Sequence, residues 1–361
     1  MNLEAKNLVS NTFSKTLINW YELNKRDLPW RDTKDPYVIW LSEIILQQTR
    51  VHQGLPYFKN FLSCYPTLSV FAIASEQDIL KLWQGLGYYS RARNMLYCAR
   101  QLMTDFEGKF PNDYQSLLKL KGVGKYTAAA IASFAFKIPV PVIDGNVFRV
   151  LSRIFGIDVN IAEAKNYKVF AEKALALLDL KNPDKFNQAI MEFGALQCTP
   201  KNPNCQECVF QPRCFAHKHE MQAYLPVNEK NLVKRVRYFS YFLLQYNNLI
   251  LVKKRGSRDI WQGMFEFLLL ESAEERNVET IFSENLKSLY GKVELTSCSE
   301  IYKHVLTHQT IFASFLRYSV NDKKTFESIR KKFDAQIVSL DELYLLPISR
   351  LTDKYLKKEL N

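Results

Sequence analysis

The segment from residue 117 to residue 153 constrains the fold of this chain more than any other stretch. Its leucines predict the end of one helix, and Gly122 and Gly124 predict a tight reversal, because glycine adopts backbone angles that other residues resist. An alanine-rich run at 128–132 then predicts a second, closely packed helix. The backbone N–H groups at the start of such a helix point in one direction, so the hairpin suits a phosphate.

A carboxylate follows about one helix later. Asp144 precedes Gly145 and Asn146 after a proline-containing break, and it predicts the N-terminal cap of a third helix. Such caps are common, and a glycine hairpin alone predicts only a plain helix-turn-helix. Together, and in this order, the two features resemble the helix-hairpin-helix and Gly/Pro-Asp loop of the base-excision DNA glycosylase superfamily.

Length and charge indicate a two-domain protein that binds a polyanion. The chain has 361 residues, enough for two hydrophobic cores, and its formal net charge is +12. Basic residues are in excess on both sides of residue 232, so a nucleic acid can contact both halves. The sequence has no secretory signal pattern and no apolar run that would span a membrane. We therefore expect a monomeric, cytoplasmic, nucleoid-associated protein without membrane contact.

Residues 36–51 predict one long helix with a buried apolar stripe, and they place Glu43, Gln47 and Arg50 together on another face. A glutamate among apolar residues has a raised pKa if it is buried, so that it keeps its proton. The helical pattern alone favours the alternative, a solvated glutamate. The string WLSEIILQQT, however, resembles a signature of MutY-type adenine DNA glycosylases. This resemblance implies that Glu43 is the catalytic acid.

Further segments extend the resemblance to DNA contacts. The LPWR segment resembles the rim of the family's base pocket, and GLGYYSRAR at 85–93 suits base stacking and phosphate contact. The alternative is core packing for Leu28 and Trp30, and core tyrosines with surface arginines for residues 85–93. The residue at 188 lies near the adenine edge in the family. The implied substrate and DNA contacts in this part of the chain are Arg26, Leu28, Trp30, Arg31, Gln48, Thr49, Tyr88, Arg91, Gly122, Gly124 and Gln188.

Four cysteines lie within seventeen residues, with the uneven spacing Cys198-x6-Cys205-x2-Cys208-x5-Cys214. Clustered cysteines in a cytosolic protein predict a metal centre, for which zinc is the general alternative. The spacing resembles the cluster loop of the endonuclease III and MutY families, which implies a 4Fe–4S cluster bound by all four thiolates. The remaining cysteines are expected to be ordinary core residues: Cys64, Cys98 and Cys298.

The pattern changes to strands after Arg237. Alternating apolar residues on both sides of Asn247-Asn248 predict a β-hairpin, and helices are expected at 274–290 and 322–333. This part resembles the Nudix-like C-terminal domain of MutY proteins, but it lacks the acidic metal-binding helix of Nudix hydrolases. We therefore expect no pyrophosphate hydrolysis.

A histidine-flanked segment in the C-terminal part resembles the one with which the family contacts 8-oxoguanine. It implies base contacts by Thr307 and His308. Leu306 replaces the phenylalanine of the family, and Thr307 replaces its serine. The hydroxyl group is retained and the stacking ring is lost.

The resemblance covers nearly the whole chain and predicts its architecture. Residues 1–215 are expected to form a mainly α-helical DNA glycosylase domain with a helix-hairpin-helix and an iron–sulfur loop at 198–214. A linker is expected at 216–235, followed by an α+β, Nudix-like mispair-recognition domain at 236–361.

The implied activity is removal of adenine mispaired with 8-oxoguanine or guanine in double-stranded DNA. Glu43 then acts as the general acid, Asp144 stabilises the sugar cation, and Tyr126 and Asn146 orient the site. Lyases of the endonuclease III type carry a lysine at the position of Tyr126, whereas the lysine here is Lys125. We therefore expect a monofunctional glycosylase. An endonuclease III-like pyrimidine glycosylase and a non-catalytic iron–sulfur DNA-binding protein are the alternatives.

Overall fold

The structure, a computed structural model, describes residues 3–229, 234–257, 259–275 and 292–359, and for residues 3–11 it describes the backbone only. The chain divides into two compact units. The first comprises Met1–Ile73 and Tyr97–Asn231, and the second comprises Ala74–Leu96 and Leu232–Asn361. In the described ranges, no helix is long and apolar enough to cross a membrane.

Helices precede the sheet in the described part of the chain, and most of them belong to the first unit. Helix α5 (Glu76–Leu82) lies wholly in the second unit, whereas helix α6 (Ser90–Asp105) begins in the second unit and ends in the first. In chain order these helices are α1 (Leu3–Asn24), α2 (Pro36–Leu46), α3 (Val51–Cys64), α4 (Leu68–Ala72), α5 (Glu76–Leu82), α6 (Ser90–Asp105), α7 (Tyr114–Leu117), α8 (Lys125–Phe136), α9 (Gly145–Phe155), α10 (Tyr167–Leu177), α11 (Pro183–Leu196) and α12 (Phe215–Lys218), with short 3-10 segments at Ala164–Asn166 and Gln211–Arg213.

The prediction of one helix from residue 36 to residue 51 is wrong at its C-terminal end. Helix α2 stops at Leu46, and α3 begins at Val51 after a short turn. Gln48 has a positive φ of 55°, which ends a right-handed helix. Gln47 and Arg50 therefore do not share a helix face with Glu43.

The predicted hairpin and the helices that follow it are confirmed. Gly122 has a φ of 78°, a value that favours glycine, and it reverses the chain between α7 and α8. Helix α9 begins directly after Asp144, whose side chain accepts a hydrogen bond from the Val147 N–H at 2.8 Å. Asp144 is therefore the N-cap that the sequence predicts.

The core of the first unit lies where α1, α9, α10 and α11 meet. Phe13 stacks on Phe210 at 4.6 Å between ring centroids, and Trp20 meets the edge of Phe193 at 4.9 Å. These side chains are buried. Aromatic packing between α1 and α11 fixes both helices, and both carry side chains of the candidate site.

The second unit contains a mixed β-sheet. The described strands are β1 (Arg235–Tyr246), β2 (Leu249–Lys254), β3 (Phe265–Glu266), β4 (Leu268–Ser272), β5 (Val293–Cys298), β6 (Tyr302–Val305), β7 (Gln309–Val320) and β8 (Gln336–Ser339). They run in the order β3-β2-β1-β7-β5, with β4 on β1, β6 on β7 and β8 on β2. Strands β1 and β7 are parallel, and Phe242 lies beside Leu316.

Helices α13 (Lys323–Phe333), α14 (Leu340–Leu345) and α15 (Arg350–Glu359) complete the described part of this unit. The β-hairpin at Asn247-Asn248 and the helix predicted at 322–333 are confirmed. Most of the helix predicted at 274–290 lies outside the described residues. Within the predicted linker, Leu225 is buried, and the Val227 carbonyl accepts a hydrogen bond from Ile161 N–H at 2.9 Å.

The isolated cysteines depart in part from the prediction that they are core residues. Cys98 is buried, as expected, whereas Cys64 and Cys298 are exposed. Each of the two lies at the end of its helix or strand, where the pattern of apolar residues stops.

Candidate active site

A cavity of about 660 Å³ in the first unit brings together residues from five helices and their loops. Segments 26–31 and 42–52 contribute to its walls, together with residues from α8, α9 and α11. The predicted site residues among its walls are Arg26, Leu28, Trp30, Arg31, Glu43, Thr49, Tyr126, Asp144, Asn146 and Gln188.

Glu43 is buried on this cavity, with 6% of its surface exposed. Burial raises the pKa of its carboxyl group to about 7, and the nearby Asp144 adds to the rise. The hydroxyl of Tyr126 donates a hydrogen bond to Glu43 Oε2, which opposes the rise in pKa. Glu43 therefore holds its proton near neutral pH and can donate it. The outward-facing glutamate, which the helical pattern alone favoured, is not what the structure contains.

Tyr126 lies in the first turn of α8 and points into the cavity. Burial and the two carboxyl groups raise the pKa of its hydroxyl well above the ordinary value, so it remains a hydrogen-bond donor. The preceding residue, Lys125, is exposed, and its Nζ lies 4.7 Å from the centre of the Tyr167 ring. Lys125 does not line the cavity.

Asp144 is held by a chain of hydrogen bonds. Asn146 Nδ2 donates to Asp144 Oδ2 at 2.7 Å, and Arg149 Nη2 donates to Asn146 Oδ1 at 2.8 Å. Arg149 Nε donates to the carbonyl of Cys198 at 2.8 Å. Burial raises the pKa of Asp144, whereas the N–H groups of Val147 and Asn146 oppose this rise by binding the carboxylate. The carboxylate is thereby fixed in orientation and tied to the start of the cysteine loop.

Glu192 holds the two arginines of the predicted pocket rim. Arg26 and Arg31 each place an Nη2 atom 2.6 Å from Glu192 Oε2. These hydrogen bonds hold the pKa of the buried Glu192 at about 2, although burial alone would raise it. Both guanidinium groups are thus already engaged within the protein, and their contact with DNA stays a prediction.

Gln188 and Met191 complete the wall that α11 contributes. Tyr21 donates a hydrogen bond to Gln188 Oε1 at 2.8 Å, which leaves the amide N–H groups of Gln188 as donors. Met191 Sδ lies 3.7 Å from the Tyr126 hydroxyl.

Sequence reasoning missed the parts played by Met191, Arg149 and Glu192. Helical spacing carried a signal for the last two. Glu192 follows Gln188 by four residues and Arg149 follows Asn146 by three, so each pair shares a helix face.

The other predicted DNA contacts lie outside the cavity. Gln48 and Tyr88 both have positive φ values, 55° and 47°, which L-residues adopt only where the surroundings enforce them. Tyr88 and Arg91 belong to the second unit, as do the exposed Thr307 and His308. Gly122 and Gly124 lie in the hairpin before α8.

The four clustered cysteines line a common small cavity in the first unit. Arg153 Nη1 lies 3.5 Å from Cys198 Sγ, and the thiol of Cys214 faces the Arg153 carbonyl at 3.4 Å. Within the described residues, no three His, Cys, Asp or Glu side chains converge on a single metal-ion site. A 4Fe–4S cluster takes one thiolate per iron, so its ligands need only surround a shared space. All four cysteines line the same cavity, which is consistent with that condition.

Two family profiles match the chain. Residues 41–176 match the HhH-GPD superfamily of base excision DNA repair proteins, and residues 240–358 match the NUDIX domain. The matches confirm the predicted fold class, a helical glycosylase domain followed by a Nudix-like domain with a sheet.

Curated proteins resemble the chain over most of its length. An adenine DNA glycosylase of Buchnera aphidicola subsp. Schizaphis graminum is 33% identical over 317 residues, which cover 87% of this chain and 91% of that protein. An adenine DNA glycosylase of Arabidopsis thaliana is 33% identical over 81% of this chain and 54% of that protein. The human adenine DNA glycosylase is 40% identical over 59% of this chain and 41% of that protein.

Solved structures resemble the helical part. A thermostable thymine-DNA glycosylase is 30% identical with a TM-score of 0.55, and the match covers 60% of this chain and all of that one. Endonuclease III in a non-covalent DNA complex is 20% identical with a TM-score of 0.50, covering 59% of this chain and 98% of that one. The second likeness shows the shared fold alone.

Proposed function

This chain belongs to the adenine DNA glycosylase family, and we propose that it removes adenine mispaired with 8-oxoguanine or guanine from double-stranded DNA. It does so as a hydrolase of the N-glycosyl bond in base excision repair. The observation that carries this proposal is the pair of carboxyl groups in one cavity, Glu43 and Asp144, which stand in unlike surroundings.

The first requirement is access to the bond. An adenine within a duplex must leave the stack, at a cost of roughly a few kcal/mol. The cavity of about 660 Å³ is large enough for a purine base, and it is walled by Leu28 and Trp30. Gln48 is the side chain that fills the space that the base vacates. The amide N–H groups of Gln188, oriented by Tyr21, meet acceptor atoms on the adenine edge.

The second requirement is a proton for the leaving group. An adenine anion leaves poorly, so protonation of the base, at N7, accelerates cleavage. Glu43 supplies this proton, because burial keeps its pKa at about 7. Tyr126 donates a hydrogen bond to Glu43 Oε2, so the other oxygen of the carboxyl group is the one left to carry the proton.

The third requirement is stabilisation of the sugar, which develops positive charge as the bond breaks. Asp144 as a carboxylate provides a negative charge that needs no rearrangement, because Asn146 and the Val147 N–H already hold it in place. The Asp144 carboxyl group accepts hydrogen bonds from Asn146 and from the Val147 N–H, whereas Glu43 accepts one from Tyr126. Two carboxyl groups in such unlike surroundings are the expected arrangement for an acid beside a stabilising anion.

The reaction stops at the base-free sugar. A lyase step needs an amine at the sugar, and the candidate residue Lys125 lies against Tyr167 outside the cavity. This placement favours a monofunctional glycosylase over an endonuclease III-like enzyme. Gly122 and Gly124, at the start of α8, hold a DNA phosphate next to the reacting nucleotide.

A 4Fe–4S cluster is the group that suits the four cysteines, namely Cys198, Cys205, Cys208 and Cys214. Their four thiolates would hold the cluster, which would cross-link the loop. The loop in turn presents the exposed Lys201 and Arg213 toward the DNA backbone. Arg149 joins the loop to the site through the Cys198 carbonyl, so an ordered loop also orders Asp144.

A strand-scission assay tests the proposed function. Duplexes with adenine opposite 8-oxoguanine, guanine, cytosine or thymine are incubated with the protein, and samples are analysed with and without alkali. We expect cleavage at adenine opposite 8-oxoguanine and guanine, and only after alkali. Cleavage without alkali would indicate a lyase. If no duplex were cleaved, the result would favour the alternative of a non-catalytic DNA-binding protein.

A further inference from the structure

Residues 74–96 belong to the same compact unit as residues 232–361, although more than one hundred residues separate them in sequence. Two cationic side chains of this segment, Lys81 and Arg93, donate hydrogen bonds to the C-terminal part of the unit. Lys81 Nζ donates to the Tyr344 carbonyl at 2.6 Å and to the Leu346 carbonyl at 3.3 Å, at the C-terminal end of α14. Carbonyl groups at a helix C-terminus attract a cation, so this is a favourable position for a lysine.

The other end of the segment is fastened by Arg93. Its Nη1 donates to the Gln262 carbonyl at 2.9 Å. The adjacent Gly263 has a φ of 82°, and a Cβ there would lie 2.7 Å from Glu76 Oε1 and 3.1 Å from Leu80 Cδ1. The turn at Gly263 therefore lies directly against α5. Contacts at both ends fix the orientation of the segment.

The loop between these two contacts is itself tightly held. Trp83 Nε1 donates to the Gly87 carbonyl at 3.0 Å, and the guanidinium of Arg91 lies 4.9 Å from the Trp83 ring and 5.8 Å from the Tyr88 ring. Tyr88 adopts a φ of 47°. The direction of the Tyr88 side chain is thus determined by its own loop, and the position of that loop is determined by Lys81 and Arg93.

Tyr88 and Thr307 meet at the exposed surface of this unit. Their hydroxyl oxygens are 2.5 Å apart, and 45% of the Tyr88 surface is exposed. Such a pair presents one donor and further acceptor sites on a single surface. At the major-groove edge, guanine offers only acceptors, N7 and O6, whereas 8-oxoguanine carries an N–H at N7 and a carbonyl at C8. A hydroxyl pair in a fixed position can therefore distinguish 8-oxoguanine from guanine.

We propose that Lys81 and Arg93 are positioning residues, which hold Tyr88 against Thr307 on the surface expected to read the base opposite adenine. The inference rests on the proposed function, because it concerns the choice of the base opposite adenine. It assigns to Lys81 and Arg93 a part in specificity although neither contacts the base.

The test measures single-turnover adenine excision from duplexes with 8-oxoguanine or guanine opposite adenine, in the full-length protein. We expect Lys81→Met and Arg93→Met each to lower the rate ratio between the two duplexes by about tenfold, because each variant loses at least one hydrogen bond of a charged group. The rate on the guanine duplex should stay within about twofold. Lys324→Met, an exposed change of the same kind in α13, is the control and should leave the ratio unchanged.

A Thr307→Ala variant shows whether Lys81 acts by positioning Tyr88 against Thr307 or by stabilising the protein in general. If Lys81 acts through Thr307, Lys81→Met should lower the ratio little further in a Thr307→Ala background, because changes in one pathway are not additive. An unchanged ratio in Lys81→Met, or an equal fall on both duplexes, would overturn the inference. So would a Thr307→Ala protein with the wild-type ratio.

Failure of a variant to fold and failure of the proposed function can be told apart from failure of the inference. If Lys81→Met does not fold, Arg93→Met decides by the same criteria, because it removes a single contact at the opposite end of the segment. If the wild type releases no adenine from either duplex, the proposed function itself fails, irrespective of these positioning residues.

Discussion

Replacing Glu43 by glutamine removes a carboxyl group that pays an electrostatic cost when it ionises in the folded protein. Burial raises its pKa to about 7, compared with about 4.5 for an exposed glutamate. The two values differ by about 2.5, and each pKa unit corresponds to about 1.36 kcal/mol. Ionised Glu43 should therefore destabilise the fold by about 3 kcal/mol relative to protonated Glu43.

The sign of the pH dependence follows from the direction of this shift. The folded protein binds the Glu43 proton more tightly than the unfolded chain does. The resulting stabilisation is fully present below about pH 4.5 and is lost as the pH rises through about 7. Glu43→Gln has no such proton. Its free energy of unfolding, relative to the wild type, should therefore rise by about 3 kcal/mol between pH 4.5 and pH 8.

Urea unfolding of the wild type and of Glu43→Gln at several pH values measures this difference. Groups that titrate in both proteins contribute equally to both free energies of unfolding, so their contributions cancel in the comparison. Glu107→Gln, at an exposed position, is a matched control. A constant difference between Glu43→Gln and the wild type across the pH range would refute the reasoning, since it would mean that Glu43 ionises as an exposed carboxyl group does.

Three other changes test separate parts of the site. Tyr126→Lys should give a borohydride-trappable adduct with DNA, because it places an amine on the cavity wall, whereas strong trapping by the wild type would revive the lyase interpretation. Arg149→Met should slow excision roughly tenfold by releasing Asn146 and Asp144, and a wild-type rate would remove Arg149 from the account. Cys205→Ser should lower iron content and DNA affinity together, as measured by metal analysis and titration with duplex DNA. Stoichiometric zinc without iron in the wild type would show that the metal is misassigned.

The elements that carry the site were predictable from short stretches of sequence. Glycine at 122 and a capping carboxylate at Asp144 impose local conformations, and the structure contains both. The apolar stripe of α2 was equally clear, since Leu41, Ile44 and Ile45 are all buried. Local sequence therefore determined where the helices of the site begin.

The end of α2 was not predictable by the same means. Residues 47–51 continue a helical pattern of polar and apolar side chains, yet Gln48 adopts a left-handed conformation. A backbone conformation of this kind is imposed by surrounding structure and is seldom signalled by the residue itself.

Partners distant in sequence were also beyond prediction from one chain. Glu192 pairs with Arg26 and Arg31 across more than 160 residues, and Tyr88 meets Thr307 across 219. Each of these side chains is compatible with an exposed position when considered alone. Their pairing depends on the packing of whole helices and strands.

The most direct test of the central claim is the rate of adenine release under single-turnover conditions as a function of pH. If Glu43 donates the proton, the wild-type rate should fall as the pH rises through about 7. Below about pH 7, Glu43→Gln and Asp144→Asn should release adenine at least about a hundredfold more slowly than the wild type while still binding the mispaired duplex. Adenine release by Glu43→Gln at close to the wild-type rate would contradict the account.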